Sequence, residues 1–489
     1  MIIFDIIGVG VVLYAISFLI LLCFVNCDLR LAFYEKLGRS LGRMRGNVVF
    51  IVGASSGIGE HTAIILAKNG VKLVLAARRL NELERVKALC LNSSEGKLTT
   101  NDILVIQMDI LDIYSHKKYF DQALRHFGHI DILFNNVGRG QRAVFEIIEA
   151  SVDKQIFDLN VFSTVHLSRV AVNYFINRGV GHIAVTSSLA SIMGGPFASS
   201  ATASKAALNV STNENTIIFK TISKRFFLYF LFNVILIVIH NRYFFRILDS
   251  SEGKLTTNDI LVIQMDILDI YSHKKYFDQA LRHFGHIDIL FNNVGRGQRA
   301  VFEIIEASVD KQIFDLNVFS TVHLSRVAVN YFINRGVGHI AVTSSLASIM
   351  GGPFASSATA SKAALNGYFR SLRAEMVGKN VAVSLICPGP VSTNYEEKSF
   401  TDRAGEVYGV QATGKMMGTE RCGKLCAVTF ANRLDEVWIS KFHHLFMSYM
   451  AVYFPLVYNV VLNLIGPDKM FKTYAPIEVT NNVNRPRNK

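Results

Sequence analysis

The chain has 489 residues, half of them apolar, a mean hydropathy of +0.30 and a formal net charge of +13. That length admits two or three ordinary domains, and the hydropathy points to membrane segments beside a globular body. The charge suits a basic face beside anionic lipid or a pocket for a phosphorylated cofactor; with no run of five Lys or Arg and no nucleic-acid module, a nucleic-acid partner is set aside. Six cysteines (Cys23, Cys27, Cys90, Cys387, Cys422 and Cys426) form neither a disulfide framework nor a zinc pattern, so no metal is expected, and Cys422 and Cys426 read as packing on one helix face.

Ile2 to Val25 is almost wholly apolar. At about 1.5 Å per residue it spans a hydrocarbon core of about 30 Å. No small-residue cleavage pattern follows it, so residues 1–27 read as a retained transmembrane anchor rather than a signal peptide. Arg30, Lys36, Arg39, Arg43 and Arg45 cluster behind it, which by the positive-inside rule favours a cytosolic body.

Residues 46–92 read as strand, helix, strand, helix. The apolar run Val48–Val52 is a buried parallel strand, and the apolar positions Ala63, Ile64, Leu66 and Ala67 recur at helical spacing. Between them lies Gly53-Ala54-Ser55-Ser56-Gly57-Ile58-Gly59. Strand, glycine turn and helix are the context of a dinucleotide-binding turn: Gly53 turns the chain out of the strand, and Gly57 and Gly59 let backbone and helix approach a pyrophosphate, which the helix N-terminus then faces. The next strand, Lys72–Ala77, ends without the acid that would accept from the ribose hydroxyls of NAD; Arg78 follows and suits a 2′-phosphate, so the expected cofactor is NADP(H).

Ser93–Asn209 then recurs as Ser250–Asn366 without a substitution, a 117-residue duplication far longer than a solenoid unit. Strands are expected near Ile103–Met108, Ile130–Phe134 and Ile183–Thr186, and again near Ile260–Met265, Ile287–Phe291 and Ile340–Thr343. Residues 210–249 between the copies, with an apolar stretch from Phe226 to Ile239 too short to span a bilayer, read as translated non-coding sequence. Only the second copy runs on into the strand Val381–Ile386, so residues 250–440 are expected to complete the domain begun at 46–92, with copy one redundant or misfolded. In the tail, 441–489, the apolar stretch Leu445–Ile465 is broken by Pro455; it either lies on a membrane surface or covers a cleft.

The glycine spacing and the motifs that follow it resemble the short-chain dehydrogenase/reductase family. Matching segments are Gln-Met-Asp at Asp109 and Asp266, Asn-Asn-Val-Gly at Asn135-Asn136 and Asn292-Asn293, Asp-Leu-Asn-Val at Asn160 and Asn317, Thr-Ser-Ser at Ser188 and Ser345, Ala-Ser-Lys-Ala-Ala-Leu at Lys205 and Lys362, and Pro388-Gly389-Pro390-Val391-Ser392-Thr393. The resemblance implies a Rossmann-type doubly wound parallel α/β sheet. It implies adenine contact by the aspartate, a water-holding asparagine, a substrate-binding serine, a ribose-binding lysine, and a nicotinamide-covering loop through Pro388, Gly389, Val391 and Thr393. The expected catalytic set is Asn317, Ser345 and Lys362, with Asn160, Ser188 and Lys205 as duplicates. Gly53, Ser55, Ser56, Gly57, Ile58, Gly59, Arg78, Asp266, Asn292, Asn293 and Lys362 are expected at the cofactor. It further implies an apolar carbonyl or alcohol substrate of steroid or retinoid kind, membrane lipid as a partner, an endoplasmic-reticulum location and a homodimer.

One position departs from the pattern. The family places a tyrosine four residues before the lysine, and this chain has Ala201 and Ala358 there. A positioned phenol hands a proton to the oxygen that becomes an alkoxide, its pKa drawn down from about 10 by the neighbouring cation; alanine cannot. Tyr368, beyond Lys362, is one and a half helical turns away and is no substitute. Two readings follow: an NADP(H)-dependent reductase or dehydrogenase, or a pseudoenzyme that keeps the cofactor fold without turnover.

Overall fold

A computed structural model describes residues 29–38, 40–221, 260–352, 354–393, 395, 397–409, 416–455, 457, 458 and 460. The expected anchor at 1–27, most of the 210–249 insert and the end of the apolar tail lie outside the described residues; among those described, no helix is long and apolar enough to cross a membrane.

Two parallel sheets form in place of one. The first comprises β1 (Val48–Val52), β2 (Lys72–Ala77), β3 (Ile103–Gln107), β4 (Ile132–Asn135) and β5 (His182–Val185) in the order β3-β2-β1-β4-β5. The second comprises β6 (Ile289–Asn292), β7 (Gly338–Thr343), β8 (Val381–Pro388) and β9 (Glu436–Ile439) in that order. β1 is apolar throughout because both its faces are covered. Val48, Phe50 and Val52 join one core with Phe120, Phe157 and Phe175, whereas Val49 and Ile51 join another with Ala63, Leu66, Leu83 and Val86.

The sheet order corrects the expectation that copy two completes the first domain. β1 pairs with β4 of copy one, Val49 opposite Ile132, and β6 of copy two pairs with β7, which pairs with β8. Each copy joins the unique segment to which it is directly connected. Closing β1 onto copy two would need a loop about three times longer, an added cost of about 1 kcal/mol in chain entropy.

Identical sequences therefore take different structures. Ile103–Gln107 is a strand because β2 lies beside it, Leu73 opposite Ile103. Its duplicate at 260–264 has no strand neighbour among the described residues and forms no strand. At the other end, His182–Val185 is a half-exposed edge strand, while its duplicate lies between two neighbours, lengthens to Gly338–Thr343 and is buried throughout.

The halves meet through the duplicated helices. In copy one these are α1 (Ala150–Phe157), α2 (Ser163–Arg178) and α3 (Ser199–Thr221); in copy two, α4 (Ala307–Phe314), α5 (Ser320–Arg335) and α6 (Ser356–Glu375). The contact is nearly two-fold symmetric. Arg169 pairs with Asp310 at 2.5 Å and Arg326 with Asp153 at 2.5 Å, all four side chains buried. Arg169 Nε also donates to the Phe302 carbonyl at 2.9 Å and Arg326 Nε to that of Phe145 at 2.8 Å. Phe157 meets Phe319 edge-on at 5.3 Å between ring centroids, and Phe162 meets Phe314 likewise at 5.2 Å. The symmetry ends where the copies diverge. Gly367 stands where copy one has Val210, and a Cβ at Gly367 would lie 2.6 Å from Ala203 Cα, so α3 and α6 pack backbone to backbone there. Tyr368, beyond the duplication, donates its hydroxyl to Asp153 at 2.9 Å; it is a buried interface residue, and burial beside that carboxylate pushes its pKa well above the usual phenol value.

Two measurements test this arrangement. Hydrogen exchange read by mass spectrometry should give the peptide shared by 103–107 and 260–264 two envelopes of equal weight, one slow and one fast; a single envelope would contradict the two sheet contexts. Asp310→Ala, which leaves Arg169 buried without its partner, should lower stability by roughly 3–5 kcal/mol in urea unfolding, and Arg169→Met in the same chain should recover much of that loss.

Candidate active site and cofactor cleft

The glycine turn and the asparagine, serine and lysine motifs meet in the first half. Gly53 leaves β1 at φ +78°, and a Cβ there would lie 2.6 Å from the Asn136 carbonyl oxygen; a Cβ on Gly59 would lie 2.3 Å from that of Gly53. The turn is thus packed backbone on backbone beside the Asn135-Asn136 corner. Asn136 Nδ2 donates to the Gly53 carbonyl at 3.3 Å and its Oδ1 accepts from Thr186 Oγ1 at 2.7 Å, tying the ends of β1, β4 and β5 together. Asn135 is buried and donates to Ser168 Oγ at 3.0 Å.

A cleft of about 380 Å³ opens over this corner, lined by Gly53, Ser55, Ser56, Arg78, Arg79, Met108, Ile110 and Gly138 among others. Arg79, which the sequence reading passed over in favour of Arg78, reaches back across it: its guanidinium donates to Ser55 Oγ at 3.0 Å and Ser56 Oγ at 2.9 Å. The adjacent Arg78-Arg79 pair was the available signal; only the fold shows which arginine turns toward the glycine turn. Asp109 does not line this cleft; its Oδ1 accepts from the Leu111 amide at 3.0 Å and closes its own turn.

The cleft continues past Asn136–Arg139 into one of about 390 Å³ that holds Ile58, Asn160, Ser188, Ala201, Thr202 and Lys205. Asn160 sits in a π-helical turn, Asp158–Phe162, between α1 and α2. Its amide clamps Arg139, with Oδ1 accepting from the Arg139 amide at 2.8 Å and Nδ2 donating to the Arg139 carbonyl at 3.0 Å and to Ser204 Oγ at 2.9 Å. Lys205 Nζ donates to the carbonyls of Thr186 at 2.9 Å and Val137 at 3.3 Å. Burial disfavours its charged form and lowers its pKa to about 8. Ser188 is exposed, with Oγ accepting from the Ala190 amide at 3.2 Å. Ala201 places a methyl group where a phenol is expected, and the buried Oγ1 of Thr202 beside it has no partner among the described residues.

The second half repeats the constellation without its turn. Asn317 clamps Arg296 and donates to Ser361 Oγ at 2.8 Å, and Lys362 Nζ donates to the Thr343 carbonyl at 2.8 Å. Ser345 is only 8% exposed. The Pro388 loop covers it, with the Leu346 amide donating to the Pro388 carbonyl at 2.9 Å and Gly389 seated against Ser440. Val391 is buried and the Thr393 hydroxyl is buried without a partner among the described residues. Asp266, Asn292 and Asn293, expected at the cofactor, lie in this half and not on the glycine-turn cleft. The structure thus brings Gly53–Gly59 together with Asn160, Ser188 and Lys205, and brings Asn317, Ser345 and Lys362 together with Pro388–Thr393.

The sequence profile of the short chain dehydrogenase family matches residues 47–215 and again 232–404. The chain belongs to the short-chain dehydrogenase family. A human relative, "Dehydrogenase/reductase SDR family member 7", is 34% identical over 222 residues, 45% of this chain and 66% of its own length. "11-beta-hydroxysteroid dehydrogenase-like 2" of Arabidopsis thaliana is 38% identical over 164 residues, 33% of this chain and 51% of its own length. The chain thus spans between half and two thirds of the length of these two relatives. Among solved structures, the C-domain of a bacterial malonyl-CoA reductase, determined with NADP, superposes with a TM-score of 0.57 at 14% identity, covering 80% of this chain and 95% of that one. The shared fold extends across both halves. As a short-chain dehydrogenase, this chain has its family motifs distributed over two incomplete sheets.

Proposed function

We propose that this chain binds NADP(H) in the cleft of its first half and is an oxidoreductase of carbonyl or alcohol groups on apolar substrates whose turnover is severely impaired. The observation that carries the reading is the coexistence, in one cleft, of an intact glycine turn, Asn160, Ser188 and Lys205 with Ala201 at the proton donor's place. The tightly packed turn at Gly53 leads from the cleft into the helix Gly57–Lys68, whose N-terminus would suit a pyrophosphate. Arg79, Ser55 and Ser56, with Arg78 beside them, form a cationic, hydroxyl-lined corner that fits a 2′-phosphate.

When bound, the dinucleotide supplies or accepts the hydride. The chain's own residues supply the rest. Ser188 can donate its hydroxyl to a substrate oxygen, because its one contact uses it as an acceptor. Lys205 in its ammonium form presents a donor to the ribose hydroxyls and fixes positive charge beside the reacting centre. No residue at 201 delivers the proton. The Thr202 hydroxyl is an unactivated alcohol, and losing a general acid costs about 10²–10⁴-fold in rate. The membrane setting, and a steroid- or retinoid-like substrate, rest on the apolar N-terminal run and on the names of the relatives. Those names also favour the second reading, a reductase working at full rate.

Ala201→Tyr separates the two. In the impaired enzyme it should raise carbonyl-dependent NADPH oxidation by about 10²-fold or more, while Ala358→Tyr, in the half without a glycine turn, should not. Equal rates in the unmodified chain and Ala201→Tyr would establish the second reading. For the cofactor, Arg79→Ala should weaken NADPH binding by roughly ten- to a hundred-fold and NADH binding much less, read by quenching of the protein's fluorescence; equal losses would contradict a 2′-phosphate contact.

A further inference from the structure

Exact duplication supplies an internal comparison: one surface occurs twice with the same residues, and one copy of it is covered. In the second half, residues 398–402 lie across Arg296–Ala300. The Phe400 amide donates to the Gly297 carbonyl at 2.9 Å, and the Arg299 amide donates to the Phe400 carbonyl at 2.8 Å, a parallel bridge around Gln298. Arg296 Nε donates to the Lys398 carbonyl, and its guanidinium stacks 4.1 Å from the centroid of the Phe400 ring. Further along, the Glu306 amide donates to the Asp402 carbonyl at 2.9 Å. Under this cover Gly297, Gln298, Ala300 and Val309 are buried.

In the first half the same residues are Arg139, Gly140, Gln141, Arg142, Ala143, Glu149 and Val152. Arg139, Gly140 and Arg142 are exposed, and Ala143 and Val152 are only half-buried. The Gly140 carbonyl and the amides of Arg142 and Glu149, which correspond to the groups that bind the segment, have no partner among the described residues, and neither has the side-chain amide of Gln141. Beside them opens a cleft of about 720 Å³ with Tyr114, Ile156 and Phe162 in its wall and Lys311 of the second half at its rim. Among the described residues the chain carries two such grooves and one segment to fill them.

We propose that Arg139–Ala143 is a docking groove for an extended peptide segment supplied by a partner, of the chemistry that residues 398–402 present to the duplicate: a backbone able to form a parallel bridge, and a phenylalanine ring to stack on Arg139. The backbone bridge supplies affinity and the ring supplies register, as in other β-strand addition. A second folded copy of this chain is not the natural donor, because its own segment is already held intramolecularly at high effective concentration. Because Arg139 and Gly140 also wall the cleft of Ser188 and Lys205, a bound peptide would border that site.

The test uses a fluorescein-labelled synthetic peptide of residues 395–409, titrated with the full chain and read by anisotropy. Saturable binding of one peptide per chain is expected. Phe400→Ala in the peptide and Arg139→Ala in the protein should each weaken it by about five-fold. Arg139→Lys, which keeps the charge and loses the planar stack, should behave like Arg139→Ala. Binding that does not saturate at millimolar peptide would overturn the proposal, as would saturable binding that Arg139→Ala leaves unchanged in a chain with an unaltered circular dichroism spectrum.

Discussion

A parallel strand exists only where a neighbour accepts and donates along its whole backbone, and that requirement organises this molecule. β1 can satisfy its second edge with a strand from either copy of the duplicated segment; it takes β4, and every later assignment follows. Copy one is then committed to the glycine turn. Copy two is left to β8 and β9, the strands to which it is covalently joined. Among the described residues, one sheet has no strand beyond β5 and the other none before β6. The glycine turn and the Pro388 loop come to lie in different halves.

The two incomplete halves are held by the duplication itself. Because Arg169, Asp153, Phe157 and Phe162 recur as Arg326, Asp310, Phe314 and Phe319, a surface that binds its own image finds that image in the same chain. The buried Arg–Asp pairs fix register more than they add stability, since desolvation offsets much of their attraction. Aromatic packing around Phe157 and Phe314 supplies the apolar burial. Where the copies cease to match, at Gly367 and Tyr368, the contact becomes one-sided and closer.

This division bears on chemistry. The first half keeps an accessible serine, a half-buried lysine and a cleft over the glycine turn. The second encloses the same serine and lysine beneath the Pro388 loop. The two copies of one set of residues thus differ in enclosure and in whether a glycine turn lies beside them.

Much of this was legible in the sequence. The apolar strands, the glycine turn and the order of motifs each depend on residue type and short spacing, which local geometry translates directly: β1 and β2 occupy the residues read for them, and Asn160, Ser188 and Lys205 meet in one cleft. Ala201 needed no structure to be recognised as a missing phenol. Identical stretches carry identical propensities, however, so no reading of residues could say that 103–107 would be a strand and 260–264 would not, or that Arg79 would turn toward Ser55 and Ser56. Sequence by itself determined the family and the chemistry on offer. Tertiary structure decided which copy received a neighbour, because strand pairing, burial and the enclosure of a side chain are properties of surroundings that the duplicated residues do not themselves encode.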